Sequence, residues 1–303
     1  MIPFKKLELS HRALLENYLI RANKQACEYS FANLFLWGRK KIAEIDGFLL
    51  LQSQFDRKTV YIFPVGEGDV KPALDAIISD AQERGIPCCL STMTEEECRL
   101  VEELYPGRFC FHCDRDSYDY VYAIDDLADL KGRKYQRKRN HYNRFREAFP
   151  HYTIEPITGE NLPRVKQMLD DWYAQRQELD PDGDYHMEKA AVFKALRYYD
   201  QLELEGIVLV NEDQILAMTI GSRLTPDTYD IHFEKAIAEA DTAYTVINCE
   251  FARFLRAKHP DVQFLNREDD LGLEGLRKAK LSYYPHHMVE KCWACLLEDG
   301  YDY

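Results

Sequence analysis

One short stretch of the chain, YDIHFE at residues 229–234, places three titratable side chains at alternating positions. Side chains two residues apart on a strand point to the same face of a sheet, so Asp230, His232 and Glu234 are predicted to share one face. Such a row can hold a general base whose pKa is raised by its neighbours, and Glu234 and His232 are the candidate bases. A sheet with one solvated face would show the same alternation, and that alternative stays open.

A second stretch, RKYQRKRNHYNRF at residues 133–145, is strongly basic although the protein is acidic. The chain has 39 Lys and Arg against 52 Asp and Glu, yet residues 131–146 contain eight Lys or Arg and no acid. A local inversion of charge attracts phosphates, nucleic acid or an acidic surface. The alternative is a solvated helix face that binds nothing.

Two lysines interrupt apolar helix faces. In a helix predicted over residues 131–149, Lys138 occupies the missing position of an apolar face formed by Tyr135, Tyr142, Phe145 and Phe149. Its ammonium either points into a cleft, with Arg139 beside it, or its aliphatic stem passes the apolar face to reach water. Lys280 lies in the same way among Leu273, Leu276 and Tyr283. Two such lysines favour an anion-binding cleft.

The nine cysteines include two CxxC motifs, CFHC at 110–113 and CWAC at 292–295. Both motifs lie in apolar stretches that are predicted to be strands, on which residues i and i+3 point to opposite faces. Neither pair could then hold one zinc ion, so buried structural cysteines are favoured and no metal is expected. Free thiols are the default in a chain without an export signal.

Composition indicates a folded globular protein with 46% hydrophobic residues. The N-terminus lacks the apolar core of a secretory signal, and no apolar run reaches the roughly 20 residues of a membrane helix. We therefore expect a cytoplasmic protein that does not insert into a membrane. The phosphate-loop, dinucleotide-binding and nucleophile-elbow motifs GxxxxGK[ST], GxGxxG and GxSxG are absent.

Hydrophobic periodicity predicts a similar order of elements in each half of the chain, namely a helix or two, a hairpin, and then strands alternating with helices. The elements expected in the first half are a helix over 11–22, a hairpin turning at Asp46 and Gly47, and helices over 70–84 and 95–104. Those expected in the second half are helices over 160–179, 187–202, 243–258 and 273–283, with HMVEKCWACLL as one closing strand. We predict two related lobes, 1–125 and 126–303, of which the second includes the basic linking helix.

At this point the sequence resembles a known family. The element order is that of the GNAT N-acyltransferase fold, and the segments YQRKRNHYNRF and NREDDLGLEGLRKAKLSYYP resemble the signatures of a bacterial family related to the C-terminal domain of phosphatidylglycerol lysyltransferase. The resemblance covers nearly the whole chain and implies an α+β fold, a mixed-sheet α/β sandwich with two GNAT-like acyl-CoA N-acyltransferase lobes in tandem. The implied tandem architecture is similar to that of the peptidoglycan-bridge aminoacyltransferases, which take amino acids from tRNA.

The chain departs from these relatives in two places. The membrane-spanning part of the lysyltransferase is absent, which argues against a lipid acceptor. The GNAT pyrophosphate signature [QR]-x-x-G-x-[GA] is replaced by KAIAEADTAY at residues 235–244, which has no glycine. Free amides at a helix start can still bind a phosphate, so Ala240, Thr242, Ala243 and Tyr244 are the predicted donor-binding residues, together with Lys138 and Arg139.

The expected function is transfer of an acyl or aminoacyl group from a coenzyme A thioester or an aminoacyl-tRNA to a small-molecule or peptide amine. Glu234 or His232 is the expected base, and Tyr284 the residue that protonates the leaving group. The residues expected on the acceptor side are Asn266, Asp270, Arg277 and Lys280. The alternative from another class is a non-catalytic GNAT-like module that binds coenzyme A, nucleotide or tRNA.

Overall fold

A computed structural model of the chain describes residues 1–55, 58–181, 183–240 and 242–297. Asp241 of the KAIAEADTAY segment and residues 298–303 of the predicted second lobe lie outside this part of the chain. The strands are β1 Lys5–Lys6, β2 Arg39–Ile45, β3 Phe48–Phe55, β4 Lys58–Gly66, β5 Cys89–Met93, β6 Phe109–Cys113, β7 Asp119–Ala123, β8 Thr153–Pro156, β9 Glu205–Asn211, β10 Gln214–Arg223, β11 Thr228–Ala236, β12 Phe264–Asn266, β13 His287–Val289 and β14 Cys292–Leu296.

The α-helices are α1 Arg12–Ala22, α2 Phe31–Leu36, α3 Lys71–Arg84, α4 Glu95–Leu104, α5 Ile124–Asp129, α6 Gln136–Ala148, α7 Leu162–Leu179, α8 His186–Arg197, α9 Ala243–Lys258 and α10 Glu274–Leu281. Eight of these ten helices in the described part of the chain overlap the predicted ones, whereas α2 and α5 were not predicted and α8 ends five residues earlier than expected. Short 3-10 helices cover Leu9–His11, Cys27–Tyr29, Arg115–Ser117, Arg133–Tyr135 and Ala238–Ala240. No helix in the described ranges is both long enough and apolar enough to cross a membrane.

Two mixed sheets carry the same pattern of strands. Their orders are β1-β2-β3-β4-β5-β14-β6 and β13-β7-β12-β11-β10-β9-β8. In each sheet a hairpin is followed by one parallel pair, β4 with β5 and β11 with β12, and then by an antiparallel strand from the other half of the chain, β14 or β7. The predicted α+β class is confirmed, and each sheet borrows one strand from outside its own half.

That exchange makes the two compact units discontinuous in sequence. The first unit comprises Met1–Asp119, Asp269–Glu274 and Met288–Tyr303, and the second comprises Tyr120–Glu268 and Gly275–His287. The division into lobes 1–125 and 126–303 stays a prediction. The prediction of one closing strand is wrong, because HMVEKCWACLL contains β13 and β14 in different sheets. The two strands are separated by a short segment that contains Lys291. The ammonium of Lys291 is buried and lies 2.8 Å from the Asp119 carboxylate.

In the first unit the hairpin turn between β2 and β3 lies at Asp46 and Gly47, as predicted. Both residues have positive φ angles, 48° and 81°, which is the backbone that a two-residue hairpin with the right-handed twist requires. The core of this unit is built from one face of its sheet and from α3 and α4, and includes Leu50, Ile77 and Val101. It buries the apolar faces on which the element predictions depended.

Four of the nine cysteines form disulfides in the first unit, so the expectation of free thiols is wrong for them. Cys89 is bonded to Cys295 and Cys113 to Cys292. In both disulfides the partners lie directly opposite each other on neighbouring strands, which sequence spacing within one CxxC motif does not reveal. The cysteines of each motif point to opposite faces, as the strand geometry predicted.

In the second unit the linking helix is a 3-10 turn followed by α6, and its apolar face is buried as predicted. Tyr135 and Phe145 are fully buried, and Tyr142 packs against a small cluster with Cys249. The predicted helix face therefore positions Lys138, which lies between Tyr135 and Tyr142 in sequence.

A bulge in β10 positions the residues opposite the YDIHFE strand. The register shifts between Ile220 and Gly221, so that Ser222 lies opposite Asp230. A Cβ at Gly221 would lie 2.3 Å from the carbonyl oxygen of Asp230, so only glycine permits this approach.

Candidate active site

The titratable row of β11 is buried in the second unit and is not a solvated face. Asp230 is fully buried and His232 is 6% exposed. His232 Nε2 lies 2.8 Å from Ser222 Oγ, and its Nδ1 lies 3.4 Å from Asp230 Oδ2 and 3.3 Å from Glu268 Oε1. Both ring nitrogens of His232 are therefore occupied by neighbouring side chains.

Two groups of side chains in the described ranges have atoms close enough together to hold a metal ion. One is Asp230, His232 and Glu268, and the other is Cys27, Glu28 and Asp119 of the first unit. In the second group the ammonium of Lys291 lies within 3.6 Å of Cys27 Sγ and closer still to both carboxylates, so it supplies the positive charge itself. The expected absence of a metal stays a prediction.

Glu234 forms an incomplete ion pair with Arg267. Arg267 Nη2 donates to Glu234 Oε1 at 2.9 Å, and the two side chains are 13% and 11% exposed. Glu234 Oε2 and Arg267 Nη1 are buried and have no hydrogen-bond partner within the described part of the chain. A carboxylate and a guanidinium normally form two parallel bonds, so this arrangement leaves one acceptor and one donor available to a third group.

Two tyrosine rings hold the Arg267 guanidinium in place. Its central carbon lies 5.1 Å from the centre of the Tyr283 ring and 5.8 Å from that of Tyr122. The Tyr122 hydroxyl donates to the carbonyl oxygen of Lys280 at 2.8 Å, which fixes the ring against the C-terminal end of α10. Burial alone would lower the pKa of Arg267, but Glu234 and the two tyrosines raise it, so the guanidinium stays charged.

Lys138 brings a second cation to the same place. Its ammonium lies 3.6 Å from the centre of the Tyr283 ring, so the aliphatic stem does not carry it out to water. Burial, Arg267 and Arg137 lower the pKa of Lys138 to about 8, and Glu234 only partly opposes them. We call Lys138, Glu234, Arg267, Tyr122 and Tyr283 the Arg267 cluster.

The start of α9 offers less to a donor than expected. The helix begins at Ala243 as predicted, but Ala240, Thr242 and Ala243 are all buried, and the Ala240 amide already donates to the Ile237 carbonyl. Tyr244 is 37% exposed. A donor role for these residues stays a prediction.

The residues expected on the acceptor side are distributed over both units. Asn266 is fully buried and accepts from the Glu268 amide at 2.6 Å, which shapes the turn after β12. Lys280 donates to the carbonyl oxygens of Arg267 and Glu268 at 2.5 and 3.1 Å. It therefore holds the segment that carries Arg267. Leu276 on the same helix and Leu273 just before it are exposed, so the predicted apolar face is only partly buried.

Three further predicted site residues lie apart from that arrangement. Arg277 is half-buried on α10. Asp270 belongs to the first unit, where it is fully buried and lies 3.6 Å from Arg115. Tyr284 is 47% exposed, and its ring packs edge-on against Tyr135. The structure thus brings Lys138 and Glu234 together, and it places Asp270 in the other unit.

The basic stretch divides into structural and unpaired cations. Arg139 donates to the carbonyl oxygens of Leu130 and Gly132 and to Gln136, so its guanidinium holds the turn before α6. Lys131 and Lys134 pair with Asp129 and Asp126. The exposed arginines without a carboxylate partner in the described ranges are Arg133, Arg137, Arg144 and Arg146.

Sequence reasoning missed the central residue of the cluster. Arg267 follows Asn266 at the end of β12, and β12 pairs in parallel with β11 so that Asn266 lies opposite Asp230. Knowing that the two strands are neighbours would have placed Arg267 beside the YDIHFE row. Tyr283 and Tyr122 give no comparable signal, because a buried tyrosine beside a cation looks like any core aromatic in sequence.

Comparison with known proteins identifies the family. The family described as phosphatidylglycerol lysyltransferase, C-terminal, matches residues 20–295 of the chain. An uncharacterized protein of Mycoplasmoides gallisepticum strain R(low) is 24% identical over 179 residues, which is 58% of this chain. That match covers 55% of the relative, so the chain spans about half the length of the curated protein it matches.

Solved structures agree over nearly the full length. A conserved protein of unknown function from Bacteroides thetaiotaomicron VPI-5482 is 37% identical, with a TM-score of 0.91 over 98% of this chain and 100% of that one. The C-terminal domain of a putative lysylphosphatidylglycerol synthetase from Agrobacterium fabrum is 12% identical, with a TM-score of 0.67 over 96% and 93%. A tandem GNAT protein from the clavulanic acid biosynthesis pathway is 8% identical, with a TM-score of 0.51 over 100% of both chains.

These likenesses confirm the predicted tandem of GNAT-like lobes. The family match extends over almost the whole chain, includes the two motifs that carried the resemblance, and is to a family named after a transferase, in agreement with the expected class of activity. The chain belongs to the phosphatidylglycerol lysyltransferase C-terminal family.

Proposed function

We propose that this protein transfers an aminoacyl group from an aminoacyl-tRNA to an amine, and that the Arg267 cluster is where the transfer takes place. The observation that carries the proposal is the single hydrogen bond between Glu234 and Arg267, which leaves Glu234 Oε2 and Arg267 Nη1 buried and without a hydrogen-bond partner among the described residues. A buried acceptor and a buried donor side by side match the two needs of acyl transfer to an amine.

The chemistry follows from these two atoms. Glu234 Oε2 takes a proton from the attacking amine, whose nitrogen forms a bond to the ester carbonyl carbon. Arg267 Nη1 donates to the carbonyl oxygen as that oxygen becomes negative, and stacking on Tyr283 keeps the guanidinium in place. The carbon–oxygen bond to the ribose then breaks, and the ribose oxygen takes a proton from the ammonium of Lys138.

Lys138 suits the role of acid better than Tyr284 does. The pKa of Lys138 is about 8, which is near neutrality, and its ammonium lies on the Tyr283 ring within the Arg267 cluster. Tyr284 is nearly half exposed and packs against Tyr135. By the same reasoning Glu234 is the base, because both nitrogens of His232 already contact other side chains.

The α6 surface supports tRNA as the carrier of the acyl group. Arg133, Arg137 and Arg144 follow one another at intervals of about one and two helical turns, and all are exposed. Unpaired arginines at that spacing fit a phosphate backbone. Coenzyme A has less support, because the segment before α9 has no glycine and the Ala240 amide is already used.

Labelled donors test the proposal directly. The protein is incubated with tRNA charged with a mixture of labelled amino acids, or with labelled acetyl-CoA, in the presence of small amines and peptides, and label in amide linkage is measured. We expect transfer from charged tRNA. Label from acetyl-CoA alone would overturn the choice of donor, and binding of charged tRNA without transfer would favour the non-catalytic module.

A matched pair of variants then tests the cluster. Glu234→Gln keeps the oxygen that accepts from Arg267 and removes only the base, so we expect transfer to slow by about a hundredfold with unchanged thermal stability. Glu178→Gln alters an exposed glutamate on α7 as the control. An equal rate for Glu234→Gln and the parent would remove Glu234 from the mechanism.

A further inference from the structure

The two CxxC motifs are not used by the proposed transfer, and in the first unit they form an arrangement with chemistry of its own. Strand β14 lies between β5 and β6. Cys295 on β14 lies directly opposite Cys89 on β5 and directly opposite Cys110 on β6. Three cysteines therefore stand in one row across three neighbouring strands.

All three side chains lie on the same face of the sheet. Directly opposed residues of an antiparallel pair share a face, so Cys89 and Cys110 flank Cys295 on the same side. The other side of β14, formed by Cys292, Ala294 and Leu296, packs into the core. The row is half-buried at each position, so reagents in solution can reach it.

Only two of the three sulfurs are bonded to each other. Cys89 and Cys295 form a disulfide, and Cys110 is a free thiol whose Sγ donates to the Cys295 carbonyl oxygen at 3.3 Å. The β6–β14 ladder already carries one disulfide between directly opposed residues, Cys113 and Cys292. Opposed pairs alternate in type along an antiparallel ladder, so Cys110 and Cys295, three positions further on, form a hydrogen-bonded pair, in which the Cα atoms lie about 5.5 Å apart. That distance is within the range that a disulfide spans, so a bond between Cys110 and Cys295 is possible without moving the strands.

We propose that this row is a thiol–disulfide exchange site in which Cys295 is the central sulfur. The thiolate of Cys110 attacks Sγ of Cys295, the Cys110–Cys295 bond forms, and the Cys89–Cys295 bond breaks. Cys89 leaves as a thiolate and takes up the proton that Cys110 lost, so no external oxidant or reductant is consumed. Cys89 lies one strand further away, so Cys295 is the sulfur that Cys110 reaches.

Chain closure does not decide between the two bonded forms in the folded protein. The loop-closure entropy of a disulfide acts on the unfolded chain. In the folded protein the sheet already holds Cys89 and Cys110 opposite Cys295. Both forms are therefore expected in oxidised protein, with the cross-link on either side of β14.

Differential alkylation of the wild-type protein tests this. The protein is oxidised with oxidised glutathione, held at pH 8.5, quenched in acid, and its free thiols are blocked with N-ethylmaleimide at pH 6 in denaturant. After reduction, the remaining cysteines are alkylated with iodoacetamide, and fragment-ion mass spectrometry assigns each position. We expect Cys89 and Cys110 each to be partly blocked, with the two fractions adding to one per chain and Cys295 unblocked.

Two results of the alkylation experiment would contradict the proposal. Complete blocking of Cys110 with none at Cys89 after hours at pH 8.5, or failure of Cys295 to oxidise, would overturn the proposal. In Cys89→Ser we expect a Cys110–Cys295 bond, and in Cys110→Ser only the Cys89–Cys295 bond. Persistence of the Cys113–Cys292 bond and of the parent's melting temperature shows that a variant is folded, and Cys98→Ser, which alters a free cysteine outside the row, is the control.

Discussion

Two lysines, the buried Lys291 of the first unit and the half-buried Lys138 of the second, have opposite surroundings. In the first unit the ammonium of Lys291 lies 2.8 Å from Asp119 and 2.9 Å from Glu28. Burial alone would lower its pKa, but these carboxylates and Cys27 raise it well above the ordinary value. In the second unit Lys138 lies on an aromatic ring beside other cations, and its pKa falls to about 8.

The Lys291 ammonium is paired with carboxylates and stabilises the fold, whereas the Lys138 ammonium is available to bind an anionic ligand. A buried cation surrounded by carboxylates is neutralised and needs no ligand. A half-buried cation with another cation beside it, and no carboxylate within 4 Å in the described ranges, is held at a cost that a bound anion would offset. In tandem lobes of similar topology, the lobe with the incompletely neutralised cations is the better candidate for binding.

The largest effect is expected from removal of the Lys291 ammonium. Lys291→Met leaves Asp119 and Glu28 buried without their cation, so we expect the free energy of unfolding to fall by about 3–5 kcal/mol. Urea denaturation followed by circular dichroism measures the loss. A loss below about 1 kcal/mol would mean that the cluster in the first unit is not structural.

The second prediction concerns pH and anion binding. If Lys138 contacts a tRNA phosphate, as we propose, it does so only while protonated, and its pKa of about 8 means that most of the ammonium is lost between pH 7 and 9. The affinity for fluorescently labelled tRNA that carries no amino acid should therefore fall by up to about tenfold over this range. Fluorescence anisotropy at constant ionic strength measures it, and Lys138→Met should bind equally at both pH values. The same pH dependence in the variant would assign the effect to another group.

The third prediction tests whether the surface of α6 continues the site. Arg137→Ala should weaken tRNA binding a few-fold and lower the slope of log affinity against log salt by nearly one unit, because one phosphate contact is lost. Arg99→Ala, an exposed arginine on α4 without a carboxylate partner in the described ranges, is the control. Equal slopes for Arg137→Ala and the parent would make the basic stretch a solvated helix face.

Features that depend on residues close together in sequence could be predicted, whereas features that depend on residues far apart in sequence could not. Helix α4 has the predicted bounds and α9 the predicted start, because apolar periodicity and capping are local. Asp46 and Gly47 fixed a hairpin for the same reason. The strand exchange of β7 and β14 was not predictable, because it pairs segments far apart in sequence, and the four disulfide cysteines were missed with it.

The candidate site shows the same division. Lys138 was found because an ammonium interrupts a periodic apolar face, and Glu234 because it alternates along a strand. Arg267 was missed because its importance comes from β12 lying beside β11. Lys280 interrupts a predicted apolar face as Lys138 does, yet it binds the backbone carbonyls of Arg267 and Glu268. A lysine on an apolar face thus indicates that the ammonium is buried, and only its neighbours show whether it holds the fold or binds a ligand.

The smallest expected effect completes the comparison of the two lysines. In the folded protein the pKa of Lys138 is about 8, against an ordinary value of 10.5. Below pH 8 the ammonium is charged in surroundings that disfavour the charge, and this lowers the stability of the folded state. As pH rises from 8 to 10.5, the folded protein has released this proton while the unfolded chain retains it, and wild-type stability gains. Lys138→Met completes the apolar face of α6, so it should equal or exceed the wild type in stability at pH 7 and lose that advantage by pH 10.5. Urea denaturation of both proteins at the two pH values measures the difference, in which the other titrating groups cancel. A variant less stable than the wild type at pH 7 would show that Lys138, like Lys291, contributes to the fold.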